Sequence, residues 1–385
     1  MKKRPWFLLI LIMMLLIAFP LSSYGKGDWD PEQYAREVPI SAETAALIDV
    51  QSGRILYGKN MHKQMRIASL TKIITAIVAI ESGRLEETVT TSKNAYRVEG
   101  SSIYLELGEK QKLIDLVYAI MLRSGNDAAT AIAEHVGGGS IQKFAEMMNR
   151  KVKELGLTGT HFVNPHGLDA EDHYSTAHDM AVLTAYALRN PVFAEVVRTK
   201  VKRIPWEGKE WDRVMSNKNK MLYRYPGADG VKTGYTEAAG RCLASSATRD
   251  GRQLAVIVLN DRQDWDDSAK LLNYGFTKYE YAESVKEQEP VANLPVKNGV
   301  RDQLQIVAGS KLGYPVRAEE KHLLRKDIQL PKHLTAPVYA GEKVGEINLY
   351  FKDQKIGSVP LLAAETVEGT GLLADFIRFF KGLFK

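Results

Sequence analysis

Cysteine is almost missing from this chain: Cys242 is the single one in 385 residues, which excludes an intrachain disulfide and any cysteine-rich metal site. It lies in the run Arg241-Cys242-Leu243-Ala244, where a buried structural thiol is expected. Charge of one sign is hardly in excess. The formal balance is +6, and without Lys2, Lys3 and Arg4, which sit in a segment read below as removable, 49 basic residues face 46 acidic ones. No basic stripe carries interleaved aromatics, so no nucleic-acid partner is expected. Four histidines, His161, His166, His173 and His178, share a loop-like stretch, but no His-Glu-x-x-His pair or thiolate set accompanies them. A metal site is therefore not expected there.

What remains is ordinary globular material. With 45% hydrophobic and 25% charged residues, wholesale disorder is excluded, and the length suits two domains with appendages. Residues 1–25 read as a secretory signal: a basic start, an apolar run from Trp6 to Phe19, then small residues at Ser23 and Gly25, with cleavage expected after Gly25. The run is short for a membrane span, and whether cleaved or kept as an anchor it sends the rest of the chain out of the cytoplasm.

The stretch Ile67-Ala68-Ser69-Leu70-Thr71-Lys72 organises the remainder. Apolar residues at Leu70, Ile73, Ile74, Ile77 and Val78 recur with helical period, so Ser69 opens a helix and shares a face with Lys72 one turn on. A serine hydroxyl becomes a nucleophile when a base takes its proton, and a lysine serves only if burial or a nearby cation keeps it neutral. Spacing alone also allows a plain reading, with Ser69 as a helix cap and Lys72 exposed. Ser-x-x-Lys recurs at Ser23/Lys26 and Ser140/Lys143, so the pair by itself decides little.

Upstream, Glu43 to Tyr57 reads as a hairpin turning at Gln51-Ser52-Gly53. Downstream, a helix over about 113–122 stops at Ser124-Gly125-Asn126, and a second runs on to the glycines at 137–139. Such a break holds polar side chains outside helical hydrogen bonding, although capping preference alone also puts Ser and Asn at helix ends. Ser92-Lys93-Asn94 matches the same short pattern on a polar surface segment and is set aside. Lys232-Thr233-Gly234-Tyr235 precedes two strand-like runs, 241–247 and 254–260, joined at Asp250-Gly251. Its glycine would let a ligand backbone lie against a strand edge, while Lys and Thr offer a cation and a hydroxyl to a carboxylate. A polar edge strand with a protective lysine is the simpler alternative. From about Glu287 to 365 short alternating runs indicate a small all-β domain. The last stretch, Leu372 to Lys385, is amphipathic, with four phenylalanines opposite Asp375, Arg378, Lys381 and Lys385, and suits lying in a membrane interface.

Ser69-x-x-Lys72, Ser124-x-Asn126 and Lys232-Thr233-Gly234, 55 and 108 residues apart, are jointly specific. The set is that of β-lactamases and penicillin-binding proteins, with Gly125 in place of the usual aspartate. With Asn164-Pro165-His166-Gly167-Leu168 and Lys232-Thr233-Gly234-Tyr235-Thr236 it resembles the low-molecular-weight penicillin-binding proteins, serine D-alanyl-D-alanine carboxypeptidases, across roughly residues 38–283. No motif distinguishes a sporulation-type member.

The resemblance implies an α+β fold with an antiparallel sheet flanked by helices and a helical subdomain over residues 26–286. A β-rich domain over 287–366 and a membrane-associating helix over 367–385 would follow. It implies Ser69 as nucleophile, Lys72 as its base, and Ser124 with Lys232 relaying a proton to the leaving amine. Asn126 would hold the substrate amide, and Thr233 with Arg262 the terminal carboxylate. Gly234 admits the substrate backbone, and the N–H groups of Ser69 and Tyr235 would form an oxyanion hole. Expected partners are peptidoglycan stem peptides ending in D-Ala-D-Ala, β-lactams and, through the terminal helix, the membrane surface; no cofactor is implied. A class A β-lactamase, with Glu171 activating water, is the enzymatic competitor, although the chain has no Glu-x-x-Leu-Asn run. A non-catalytic wall-binding or penicillin-sensing module is the other.

Overall fold

The computed structural model describes residues 31–371. The expected signal segment and the amphipathic stretch from Leu372 onward lie outside these residues.

Two hairpins and one further strand make the central sheet. The first hairpin pairs β1 (Thr44–Asp49) with β2 (Ile55–Lys59), turning at Gly53, whose φ of +74° suits glycine. Small two-stranded ribbons follow, β3 (Thr88–Thr90) with β4 (Lys110–Lys112) and β5 (Val201–Ile204) with β6 (Arg213–Ser216). Then come β7 (Ala228–Thr236), β8 (Gly240–Arg249) and β9 (Arg252–Leu259); β8 and β9 meet in a two-residue turn, Asp250-Gly251, with positive φ at both positions. The five long strands run antiparallel in the order β2-β1-β9-β8-β7, leaving β7 at one edge.

Alternation along β1 and β9 divides the core. Ala46, Ile48, Ala255 and Ile257 face the helical side, and Ala45, Leu47, Leu254 and Val256 face the opposite side. Both faces are covered, so β1 is buried throughout. On the helical side α1 (Lys72–Glu81) is buried at every residue but Glu81, because neighbours surround a helix that is apolar on nearly every side. Its neighbours are α2 (Leu113–Tyr118), α3 (Asn126–Val136), α4 (Ile141–Glu154), α5 (Ala177–Leu188) and α6 (Pro191–Arg198). The short α7 (Met221–Arg224) precedes β7, and α8 (Asp264–Lys278) covers the other face through Leu271, Leu272 and Tyr274.

After α8 the chain is β-structured. Glu280–Val285 pairs with Leu312–Val316, and a six-stranded sheet runs in the order Leu324–Gln329, Lys343–Phe351, Gln354–Ala363, Gln303–Ala308, Pro290–Lys297, Leu334–Thr335. Its core is Leu304, Ile306, Ile347, Leu349, Val359 and Leu361. Val367 is bridged to Val338, and Thr370 donates to Asn298 O at 2.6 Å. Residues 367–371 are thus extended and packed on this domain, unlike the helix expected from 367.

Arg54, in the β1–β2 turn, reaches across to the second domain. It donates to Glu320 at 2.7 Å and to Pro315 O, among the rings of Tyr279, Tyr314 and Phe351. Arg317 answers from the other side, binding Glu37 at 3.1 Å.

Candidate active site

The nucleophile turn is a single tight turn, Ala68–Thr71, running straight into α1. It has no side-chain cap: Ser69 does not bond a backbone N–H of the turn, whereas Ser140 accepts from Lys143 N–H at 3.2 Å as an ordinary cap, with Lys143 exposed. Ser92 likewise caps the N–H groups of Asn94 and Ala95. Of the look-alike pairs described, only Ser69 and Lys72 have the lysine buried, at 0% exposure.

The Lys72 amine has three oxygen neighbours: Ser69 Oγ at 3.0 Å, Asn126 Oδ1 at 2.7 Å and the His166 carbonyl at 2.6 Å. The Asn126 orientation is fixed because its Nδ2 donates to Glu99 O at 2.6 Å. Asn126 Oδ1 and His166 O can only accept, so they take two N–H groups of the amine. The third tetrahedral position faces Ser69; in the neutral amine it is the lone pair that receives the hydroxyl proton. Burial first, and then the fields of Lys232 and Lys218, hold Lys72 well below its ordinary range.

Asn126 begins α3, after a widened turn Ala119–Arg123 that ends with Ser124 in the left-handed conformation, φ 65°. Ser124 and Asn126 are both buried. A β-carbon at Gly125 would stand 2.8 Å from Asp127 Oδ1, so an acidic side chain in the middle of this tripeptide would meet a buried carboxylate. That carboxylate takes the Ser102 hydroxyl at 2.6 Å and the N–H groups of Ile103 and Leu105 at 3.1 Å each, pinning the segment beside Asn126.

Strand β7 brings the third motif. A β-carbon on Gly234 would lie 3.1 Å from Ile67 O and 3.2 Å from Ser69 N, so the strand backbone rests closely against the nucleophile turn, where a side chain would crowd it. Lys232 is buried, donates to its neighbour's carbonyl, Thr233 O, at 2.7 Å, and is lowered to about 7 by burial and by Lys218. Thr233 and Gly234 are half-buried and Tyr235 is exposed. Arg262 is exposed on the turn after β9.

The three distant motifs therefore meet, and two groups not singled out in the sequence join them. Lys218, exposed just before α7, donates to Ser101 Oγ at 3.1 Å and lowers both motif lysines. The His166 backbone carbonyl is the other. A lysine in a polar connection and a main-chain oxygen leave no pattern to read.

The remaining histidines have separate partners: His161 with Asp172 O, His173 with Thr71, and His178 with Asp179. Among the described residues no group of His, Cys, Asp and Glu side chains is placed to hold a metal ion. Cys242 is buried and its thiol is pushed up to about 12 by burial, so it is inert.

Comparison with known proteins decides the family. A profile described as D-alanyl-D-alanine carboxypeptidase matches residues 31–263, and one described as penicillin-binding protein 5, C-terminal domain, matches residues 279–369. The chain belongs to the D-alanyl-D-alanine carboxypeptidase family. It is 32% identical to D-alanyl-D-alanine carboxypeptidase DacF of Bacillus subtilis, over 97% of this chain and 96% of that one. DacA of Escherichia coli is also 32% identical, over 98% and 96%. The crystal structure of penicillin binding protein 5 from Haemophilus influenzae superposes with a TM-score of 0.67 at 28% identity, over 86% of this chain and 98% of that one. The α+β catalytic domain and the all-β second domain are thus those of this family.

Proposed function

We propose that this enzyme removes the terminal D-alanine from peptidoglycan stem peptides ending in D-Ala-D-Ala, by way of an acyl-enzyme on Ser69. The Ser69 hydroxyl gives its proton to the neutral Lys72 amine as Oγ attacks the carbonyl between the two D-alanines. The tetrahedral oxyanion then faces the N–H groups of Ser69 and Tyr235, an arrangement in which each donor contributes about 3 kcal/mol. The proton passes through Ser124 and Lys232 to the departing amine, and the last D-alanine leaves. Water afterwards hydrolyses the ester. Asn126 holds the substrate amide, and Thr233 with Arg262 takes the terminal carboxylate. A β-lactam would acylate the same serine.

The observation that carries this reading is the Lys72 amine, buried with two oxygens that only accept and its remaining position turned to Ser69. Glu171, the carboxylate a β-lactamase reading would use, is exposed, and neither neighbour of the Lys72 amine besides Ser69 is a carboxylate. The reading also places the protein at the outer face of the cytoplasmic membrane, exported by residues 1–25 and held by the terminal amphipathic segment. The test is release of free D-alanine from a muropeptide ending in D-Ala-D-Ala, with Ser69→Ala as control. Equal release by both proteins would overturn it.

A further inference from the structure

His173 lies outside every motif used so far, yet it is 3% exposed and tied to the nucleophile turn. Its Nε2 is 2.8 Å from Thr71 Oγ1, and its Nδ1 accepts the Val163 N–H at 3.2 Å. Thr71, fully buried, donates its single hydroxyl proton to Ala68 O at 2.9 Å. The hydroxyl oxygen must therefore accept from His173, which fixes the ring as the tautomer protonated on Nε2. The line of bonds runs Val163 N–H to His173, His173 to Thr71, and Thr71 to Ala68 O.

Its end point matters because of peptide planarity. Ala68 O and Ser69 N–H belong to one rigid peptide unit and point in opposite directions, so holding the oxygen aims the N–H. Ala68 has φ +47°, a left-handed conformation that a non-glycine residue keeps only when its surroundings impose it. The surroundings do so from a second side. A β-carbon on Gly167 would fall 1.9 Å from Ala68 O, so the loop backbone is packed directly on this carbonyl. Thr75 Oγ1 donates to Pro165 O at 2.6 Å, tying the same loop to α1.

We infer that His173 is a positioning residue for the oxyanion hole, acting through Thr71 to orient the Ala68–Ser69 peptide and hence the Ser69 N–H. This rests on the proposed role of Ser69. Burial keeps the imidazole neutral near pH 7, as the tautomer requires.

The experiment uses the purified full chain, the rate of acylation by benzylpenicillin, and kcat and KM for a D-Ala-D-Ala peptide. His173→Leu is expected to slow acylation about 10- to 100-fold, somewhat less than outright loss of an oxyanion donor, with KM changed less than about twofold. His173→Gln, which can accept from Val163 and donate to Thr71, is expected to retain most of the rate. Thr71→Val should match His173→Leu, and the double variant should be no slower than either, since the two act in series. Equal rates in the Leu and Gln variants, or a loss confined to KM, would overturn the inference. If His173→Leu does not fold, Thr71→Ser against Thr71→Val decides: the hydroxyl-retaining variant must keep the rate and the other lose it. Failure of wild-type enzyme to release D-alanine would instead refute the Ser69 reading itself.

Discussion

Asn126 and Lys72 meet through one oxygen: Asn126 Oδ1 is 2.7 Å from the amine, and the other end of the amide is fixed on Glu99 O. A neutral acceptor there satisfies one N–H without stabilising the charged form as a carboxylate would. Asn126→Asp replaces it with an anion, which favours the ammonium and raises the lysine pKa. The acid limb of the acylation rate should move to higher pH. A limb that stays where it was would exclude Lys72 as the base.

Lys232 sets the other limb. Burial and Lys218 lower it to about 7, so in the free enzyme its charge, and its attraction for a substrate carboxylate, fade as pH rises through that value. kcat/KM for the peptide should therefore decline above about pH 7, because a depressed lysine is cationic only below its pKa. Lys232→Arg keeps a guanidinium charged throughout. Its kcat/KM should be lower at pH 7, where the fork no longer fits the proton relay, but should show no fall between pH 7 and 9.

Glu171 offers a cleaner negative. It is exposed, and a solvated carboxylate is not set up as a general base for an ester buried beside Lys72. Glu171→Gln should leave the lifetime of the penicillin adduct on Ser69 unchanged within about twofold; a large lengthening, read by intact-mass spectrometry, would restore the β-lactamase reading.

The parts of this site visible in the sequence are those where one residue type does one job. Ser69, Lys72, Ser124 and Lys232 announce themselves by spacing, and Asp250-Gly251 by the positive φ its turn demands. Hidden parts depend on contacts between segments far apart. Lys218 is invisible because its role follows from where α7 begins, and the small hairpin β5–β6 because its apolar residues fall on both faces, Val201 and Val214 exposed and Ile204 and Met215 buried, with Arg213 turned inward beside them. Periodicity reports one apolar stripe on α1, whereas Thr75, Ala76 and Ala79 are buried as well because α2 to α6 surround the helix.

A test of the anchor must cut the tail beyond Thr370. Val367 is fully buried and Thr370 is hydrogen-bonded to Asn298, so removing residues from 367 onward would open the β-rich domain and confuse unfolding with loss of anchoring. A chain ending at Gly371 keeps these contacts. It should move from the membrane to the soluble fraction with acylation by penicillin intact, and retention on the membrane would refute the proposed anchor.

Arg54 tests how the two domains hold together. Its guanidinium sits at 2% exposure against Glu320, Pro315 O and three aromatic rings, and it is itself part of the catalytic domain's first hairpin. Arg54→Ala removes the ion-pair partner of the buried Glu320 carboxylate, leaving it the Arg317 N–H at 2.9 Å, and removes three ring contacts, which costs about 3–5 kcal/mol. Glu320→Ala costs less, because Arg54 keeps Pro315 O and the rings. Urea unfolding followed by far-UV circular dichroism, which reports both domains, should show the larger loss for Arg54→Ala, about 3–5 kcal/mol, with a second transition emerging as the domains uncouple. A loss below about 1 kcal/mol would mean that the pair is solvated and that Arg317 with Glu37 carries the junction alone.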